Sequence, residues 1–424
     1  MALSRRKFLA RTAVTALGAL GSHPLLGLSR RGWSAGSQNV VIAGAGMAGL
    51  CAAYELNQRG YQVIVLEASP QFIGGRVRTY RFGDGRYGEL GAMRIPATHA
   101  VTRHYISELL NLGDGPGQQP LRQFVSINPR GIYYAHNSRT RVGALTPAQD
   151  VQHIATFATG FWTQSFGEIP GGMDLLPQAF VAKLRARGVQ IRLGARVLRI
   201  GQNDQQAFVA YQDGAGQSHV ASDHLICTLP FPILRSIPIE HISDRKKAAI
   251  AGLKYENANK VLLATRERFW ESDDGIYGGA SYSDQLSSNT YYPSDNALAK
   301  DPAVSHRPGV LLASYSLAAK ARALEALPSD QARIQEVLKD VELMHPRLGE
   351  AGMIQQALNW TWDQQPLFKG AFAAHGQQNT DFYRQAILPE GRIHFAGEHL
   401  SEDPTWIQGA LNSALRCVRE IEQS

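Results

Sequence analysis

The run "NVVIAGAGMAGLCAAYELNQRGYQVIVLEA", Asn39–Ala68, decides the fold class. Asn39 to Ala43 is short and continuously apolar, the pattern of a strand buried on both faces. Gly44, Gly46 and Gly49 then form G-x-G-x-x-G. From Met47 to Arg59 the apolar spacing is helical, and Gly60 stands where a helix often ends on a left-handed residue. Tyr61 to Ala68 is a second buried strand, with Glu67 near its end, 18 residues past Gly49. Strand, glycine turn, helix and strand make a βαβ unit. In such a unit the first glycine makes the tight turn, the second lets a pyrophosphate approach the backbone, and the third lets the helix pack closely. The helix N-terminus offers aligned N–H donors to phosphate, and an acid placed like Glu67 accepts from ribose hydroxyls and disfavours a 2′-phosphate. This predicts an α/β protein that binds a dinucleotide, with the choice between NAD and FAD still open.

The 424 residues are enough for two or three domains. The formal charge of +7 suggests a nucleic-acid partner, but its distribution removes that reading. Residues 1–37 carry Arg5, Arg6, Lys7, Arg11, Arg30 and Arg31 and no acid, so 7 − 6 leaves +1 for the rest. The remainder has no basic stripe with interleaved aromatics. The basic start, "SRRKFLARTAVTALGALGSHPLLGL", pairs Arg5–Arg6 with Phe8–Leu9 ahead of a mildly apolar run broken by Gly18, Gly21, His23 and Pro24. That run is a poor membrane span. It resembles a twin-arginine export signal occupying 1–36, with cleavage near Ala35, which implies the export machinery as a partner and a periplasmic or secreted location. Cys51, Cys227 and Cys417 have neither metal nor disulfide spacing and are expected as buried apolar residues, with no metal site.

Further along, "GELGAMRIPATH", Gly88–His99, is small and glycine-spaced yet contains Arg94. A helix is expected over 100–112, and "RQFVSINPRGIYYAHNSRTR" as strands around an Asn-Pro-Arg-Gly turn. A helix is expected over 145–166 and another ending near Arg187. A β meander should run from Val189 to a buried strand at Leu225–Thr228, and further strands over Lys260–Trp270 and Gly309–Ser316. The last elements are a helix over Ser329–Met344, a buried strand over Gly391–Glu398 and a helix over Trp406–Glu422.

"GAGMAG…LEAS…GGRVRT" is similar to the opening of the flavin amine oxidase family. "FAGEHLSEDPTWIQGALNSALR" resembles that family's closing motif, and "GGMDLLPQAF" and "KVLLATRERFW" match between them. The resemblance runs from about residue 39 to the C-terminus. It implies a Rossmann-like FAD-binding domain from 37–87, 170–255 and 386–424, and a discontinuous α+β substrate domain from 88–130 and 256–385. Gly44, Gly46, Ala48, Gly49, Glu67, Ala68, Arg76 and Val197 would hold the ADP half, with Met47 and Gly75 also at the cofactor. Gly91, Ala92, Met93 and Arg94 would run along the flavin ring, where bulkier side chains would push the backbone away. Gly397, Glu398, Trp406 and Ile407 would close the site. Ala371 in "FKGAF" stands where monoamine oxidases attach the flavin to a cysteine, so FAD is expected to be non-covalent.

"GAMRIP" resembles the L-amino acid oxidase branch, in which this arginine, Arg94, pairs with the substrate carboxylate. A planar guanidinium grips a carboxylate through two parallel hydrogen bonds. Tyr315 matches the tyrosine that shares the carboxylate, Lys260 the lysine that holds a water at the flavin, and Phe372 and Trp406 the aromatic pair beside the amine. The implied reaction is oxidative deamination of an L-amino acid: hydride passes from Cα to flavin N5, the imino acid hydrolyses, and oxygen returns hydrogen peroxide. A homodimer is also expected. The family's large helical insertion after the arginine motif is mostly missing, since 77 positions separate Arg94 from Gly171, leaving a shortened helical insertion at 131–169. Thr405 replaces the usual small residue before the closing tryptophan. Three alternatives stand beside this reading: a polyamine or monoamine oxidase, a decarboxylating L-amino acid monooxygenase, and a flavin-bearing binding or maturation factor without turnover.

Overall fold

Val40, Val41, Ile42 and Ala43 are all buried, as a continuous apolar run requires. They form the middle of a five-stranded parallel sheet in the order Gln190–Leu193, Gln62–Glu67, Asn39–Ala43, His224–Cys227, Ile393–Phe395. The structure, a computed structural model, describes residues 38–145, 165–374 and 380–424. Alternation along each strand divides the surrounding core in two. Val40, Ile42, Val63 and Val65 face the helices Met47–Gln58, Leu175–Ala186 and Ile407–Glu422. Val41, Ala43, Leu66 and Leu225 face the antiparallel meander Arg196–Gln202, Ala207–Asp213, Gly216–Ser222. The chain leaves the first strand toward one neighbour and later returns on the other side. Ligands of such sheets sit at this switch point, beyond the carboxyl ends of the strands.

A second, seven-stranded sheet runs Ile354–Thr361, Ala258–Thr265, Gly309–Leu317, Asn289–Tyr292, Gly279–Ser283, Ile132–Ala135, Ser138–Arg141. One face, with Val261, Leu263 and Leu311, is covered by the helix Asp330–Met344, whose N-cap Ser329 accepts from the Ala332 N–H. The other face, with Leu262, Ala264 and Leu312, packs on Leu90 and Met93, so the two sheets meet around the segment 88–96.

Several expectations need correction. The strand opening at Ala258 ends at Thr265, and Phe269–Ser272 is a separate short helix that buries Phe269 and Trp270. The segment 131–169 does not begin as a helical insertion. Ile132–Ala135 and Ser138–Arg141 form a hairpin in the seven-stranded sheet. Its turn is His136–Asn137, with φ of 52° and 59°, and the expected Asn-Pro-Arg-Gly turn precedes it, the Gly131 N–H donating to the Asn128 carbonyl at 2.9 Å between the strands Arg122–Phe124 and Ile132–Ala135. Two consecutive left-handed residues match the twist of a two-residue hairpin. Phe166–Glu168 is a strand between Ile95–Pro96 and Arg122–Phe124. The remainder of the helix expected over 145–166 lies outside the described residues.

Candidate active site

Four parallel strands deliver their carboxyl ends to one cavity of about 600 Å³: Gly44, Glu67, Thr228 and Gly397 all line it. At this end the walls are mostly backbone. Gly44 has φ 107°, and a Cβ there would fall 2.4 Å from Thr228 Oγ1. At Gly49 a Cβ would fall 2.0 Å from the Gly44 carbonyl, so this glycine serves helix packing and does not itself line the cavity. Gly46 differs. A Cβ there would meet nothing closer than the Gly75 Cα at 3.9 Å, so the side chain is excluded by space the cavity keeps for an occupant. The helix Met47–Gln58 begins here with no side-chain cap, leaving first-turn donors for an anion. Glu67 accepts from the Ala45 and Ser69 N–H groups, each at 2.8 Å, and burial raises its pKa against those bonds. Glycine cradle, open helix end and ribose-directed carboxylate fit the phosphates and ribose of a dinucleotide.

Ala68, Gly75, Arg76, Gly91, Ala92, Met93, Arg94, Glu398, Trp406 and Ile407 also line the cavity, with Met47 and Ala48. Val197 does not. It lies in the meander strand and packs into the core under the five-stranded sheet. The reason expected for Gly91 is corrected as well. A Cβ there would fall 1.7 Å from the Arg76 carbonyl, so the glycine is required by backbone packing on backbone, not by a flat ligand.

At the far end side chains take over. On the seven-stranded sheet Lys260 pairs across to Tyr315, and Tyr315 to Asn289, giving one row of side chains at the cavity wall. Lys260 is buried, and its Nζ donates to the carbonyls of Glu89 at 3.0 Å and Gly91 at 2.7 Å, 4.7 Å from the centre of the Tyr315 ring. Burial pushes its ammonium toward losing a proton, Arg94 adds to this, and Glu89 opposes it. Glu89, half-buried beside it, is pushed the other way by desolvation, while donors from Met173 and Thr79 and the charge of Lys260 hold it back.

Arg94 sits in an aromatic box, its guanidinium 5.4, 5.8 and 5.9 Å from the ring centres of Tyr291, Phe124 and Phe166. Nη1 donates to the Tyr291 hydroxyl at 3.3 Å. The Tyr291 hydroxyl thus accepts from Arg94, while Tyr315 lies under Lys260 and feels the Arg94 charge. No local pattern marks Tyr291: Thr290, Tyr291 and Tyr292 are all buried in this strand. Glu89 was missed because its neighbour Lys260 is 171 residues away. Phe372 and Trp406 also line the cavity, with the Trp406 ring edge-on to His99 at 5.0 Å.

The family model for flavin-containing amine oxidoreductases matches residues 47–155 and 118–422. The chain belongs to this family. It is an FAD-dependent oxidoreductase, with its dinucleotide site at the glycine-lined end of the cavity fitting that cofactor. A flavin-dependent L-tryptophan oxidase of Lentzea aerocolonigenes is 33% identical, covering 92% of this chain and 99% of that protein. An L-amino-acid oxidase of Crotalus adamanteus is 29% identical over 94% of this chain and 90% of that one. In solved structures the fold is matched by a putrescine oxidase with bound putrescine, at TM-score 0.74 and 18% identity, covering 92% and 99%. Ala371 lines the cavity, and all three cysteines are buried away from it. Among the described residues there is no cluster fit for a metal ion, and no helix long and apolar enough to cross a membrane.

Proposed function

We propose that this flavoenzyme oxidises an L-amino acid: amino acid, water and oxygen give a 2-oxo acid, ammonia and hydrogen peroxide. The observation that carries the reading is Arg94, a guanidinium presented to the cavity from an aromatic box beside the Tyr291 hydroxyl. Its fork suits a carboxylate, and the rings limit the water that would compete for it. Non-covalent FAD supplies the two-electron acceptor for the hydride leaving Cα. Phe372 and Trp406 flank the amine, and burial disfavours its charged form, so the substrate reacts as the neutral amine. Lys260 holds or releases a proton at Nζ, or orients a water there, while its two carbonyl partners fix its position. The similarity to the L-tryptophan oxidase and to the venom enzyme supports an amino acid over a simple amine. The twin-arginine-like start supports export of the folded, cofactor-loaded protein to the periplasm or beyond.

Arg94→Ala tests the assignment. Removing one partner of a buried charge pair costs about 3–5 kcal/mol, or roughly two to four decades in kcat/KM. Arg94→Lys should recover only part of this. The loss should be selective for the amino acid over its decarboxylated amine, with flavin retained. Equal loss on both substrates would mean that Arg94 serves the fold or the cofactor.

A further inference from the structure

Phe372 and Trp406 lie 34 positions apart in sequence and on separate elements, yet one ion pair reaches both. Arg76 Nη1 donates to Glu398 Oε1 at 2.8 Å and to the Ala371 carbonyl at 2.9 Å. Glu398 in turn accepts from the Ala373 N–H, at 3.2 Å on Oε1 and 3.4 Å on Oε2. The two members of the pair therefore hold the residues immediately before and after Phe372. The same carboxylate accepts the Thr405 N–H at 2.8 Å on Oε2, one residue before Trp406. Thr405 has φ 76° and is the one β-branched residue with positive φ among the described non-glycine residues. A threonine keeps that conformation only where its surroundings hold it. Here the Glu398 bond holds one side and the start of the helix Ile407–Glu422 the other.

We infer that Arg76 and Glu398 act as a positioning unit that sets the placement of Phe372 and Trp406 relative to each other, and hence the alignment of the substrate amine. This rests on the reading of those two rings as the walls beside the amine. It goes beyond any contact the pair makes with the cofactor. Glu398 is 7% exposed, so water cannot readily replace a lost acceptor. Glutamine in its place keeps one acceptor oxygen but turns an NH2 group toward either Arg76 or the Thr405 N–H. One wall then loses its tie while the carboxylate clamp at Arg94 is untouched.

The test uses Glu398→Gln and Arg76→Lys holoenzymes. Flavin content is read from the visible spectrum, affinity from the spectral titration with benzoate, an inert carboxylate, and the limiting rate of flavin reduction from anaerobic stopped flow. With flavin bound and benzoate affinity near wild type, Glu398→Gln should reduce about 10- to 100-fold more slowly, the scale expected for a misplaced reacting group. Arg76→Lys keeps the carboxylate and its N–H ties and should lose less. A wild-type reduction rate per bound flavin in Glu398→Gln would overturn the proposal, whether or not flavin content falls. If that variant does not fold, an unaltered rate in Arg76→Lys overturns it in the same way. The same measurements on the decarboxylated amine separate this inference from the substrate assignment. Wild-type preference for the amine would defeat the assignment, whereas the slowed reduction in Glu398→Gln would still appear.

Discussion

Two buried lysines stand in different parts of this molecule, and only one of them, Lys260, borders the cavity. Lys246 and Lys260 are each 1% exposed, and burial disfavours the charged form of both. Lys246 donates to the carbonyls of Gln385 and Ala386, the last residues of the helix Thr380–Ala386, and of Leu388 just past it. Three carbonyls need three N–H groups, which only an ammonium has, and a cation suits a helix C-terminus. Losing the proton there would break a bond. Lys260 donates to two carbonyls, with the soft Met93 sulfur at 3.7 Å as its third neighbour, and it borders the cavity. A neutral amine can serve two carbonyls and still offer a lone pair. Lys260 can therefore change protonation state without losing its place. Burial alone does not separate the two; the weak sulfur acceptor in place of a third carbonyl, and the cavity beside it, set Lys260 apart.

The contrast breaks most visibly at Lys260. Lys260→Met should slow flavin reduction or reoxidation by about two decades, the usual scale for a proton-handling group, while the protein stays folded and yellow. Unchanged rates in both half-reactions would return Lys260 to the structural class of Lys246. Lys246→Met should do the reverse. It should lower the denaturation midpoint, at about 1–3 kcal/mol for each carbonyl left unsatisfied, with the reduction rate of the folded fraction unchanged. A rate loss without a stability loss would erase the distinction.

The smallest effect concerns a buried group that stays uncharged. His224, at the opposite end of the parallel sheet from the cavity, is pushed down to about 4 from 6.5, chiefly by burial, with His394 and Arg392 adding to the shift. The unfolded chain takes up this proton first. The contribution of His224 is thus fully present above pH 6.5 and is lost as pH falls through about 4. The difference in Tm between wild type and His224→Gln should be constant above pH 6.5 and should shrink as pH falls toward 4. A difference that grows on acidification would contradict this.

What could be read from the sequence was local. The βαβ unit is written within Asn39–Ala68, and its glycines carry their reasons with them: Gly44 turns, Gly49 packs, and Gly46 leaves room. The spacing of 88–96 marks it as part of the site but not the neighbour of Gly91, because the Arg76 carbonyl approaches it from another segment. Tyr291 and Glu89 escaped notice for the same reason. Their importance comes from Arg94 and Lys260, which only the packing of the two sheets brings near. Lys260–Trp270 looks like one strand because Phe269 and Trp270 continue an apolar run, and periodicity cannot tell a buried strand from a buried helical turn. The hairpin Ile132–Arg141 lies wholly within the segment expected as an insertion, because its place is set by pairing with Gly279–Ser283, far along the chain.

The central claim, that Arg94 makes this an oxidase of amino acids, is tested most directly on the unaltered enzyme. The measurement is a peroxide-coupled screen of the standard L-amino acids, their D-enantiomers and their decarboxylated amines, with products identified by mass. The account predicts at least one L-amino acid with a kcat/KM well above that of its amine and D-enantiomer, giving one 2-oxo acid per hydrogen peroxide. Preference for the amine, or an amide product that has lost carbon dioxide, would contradict it.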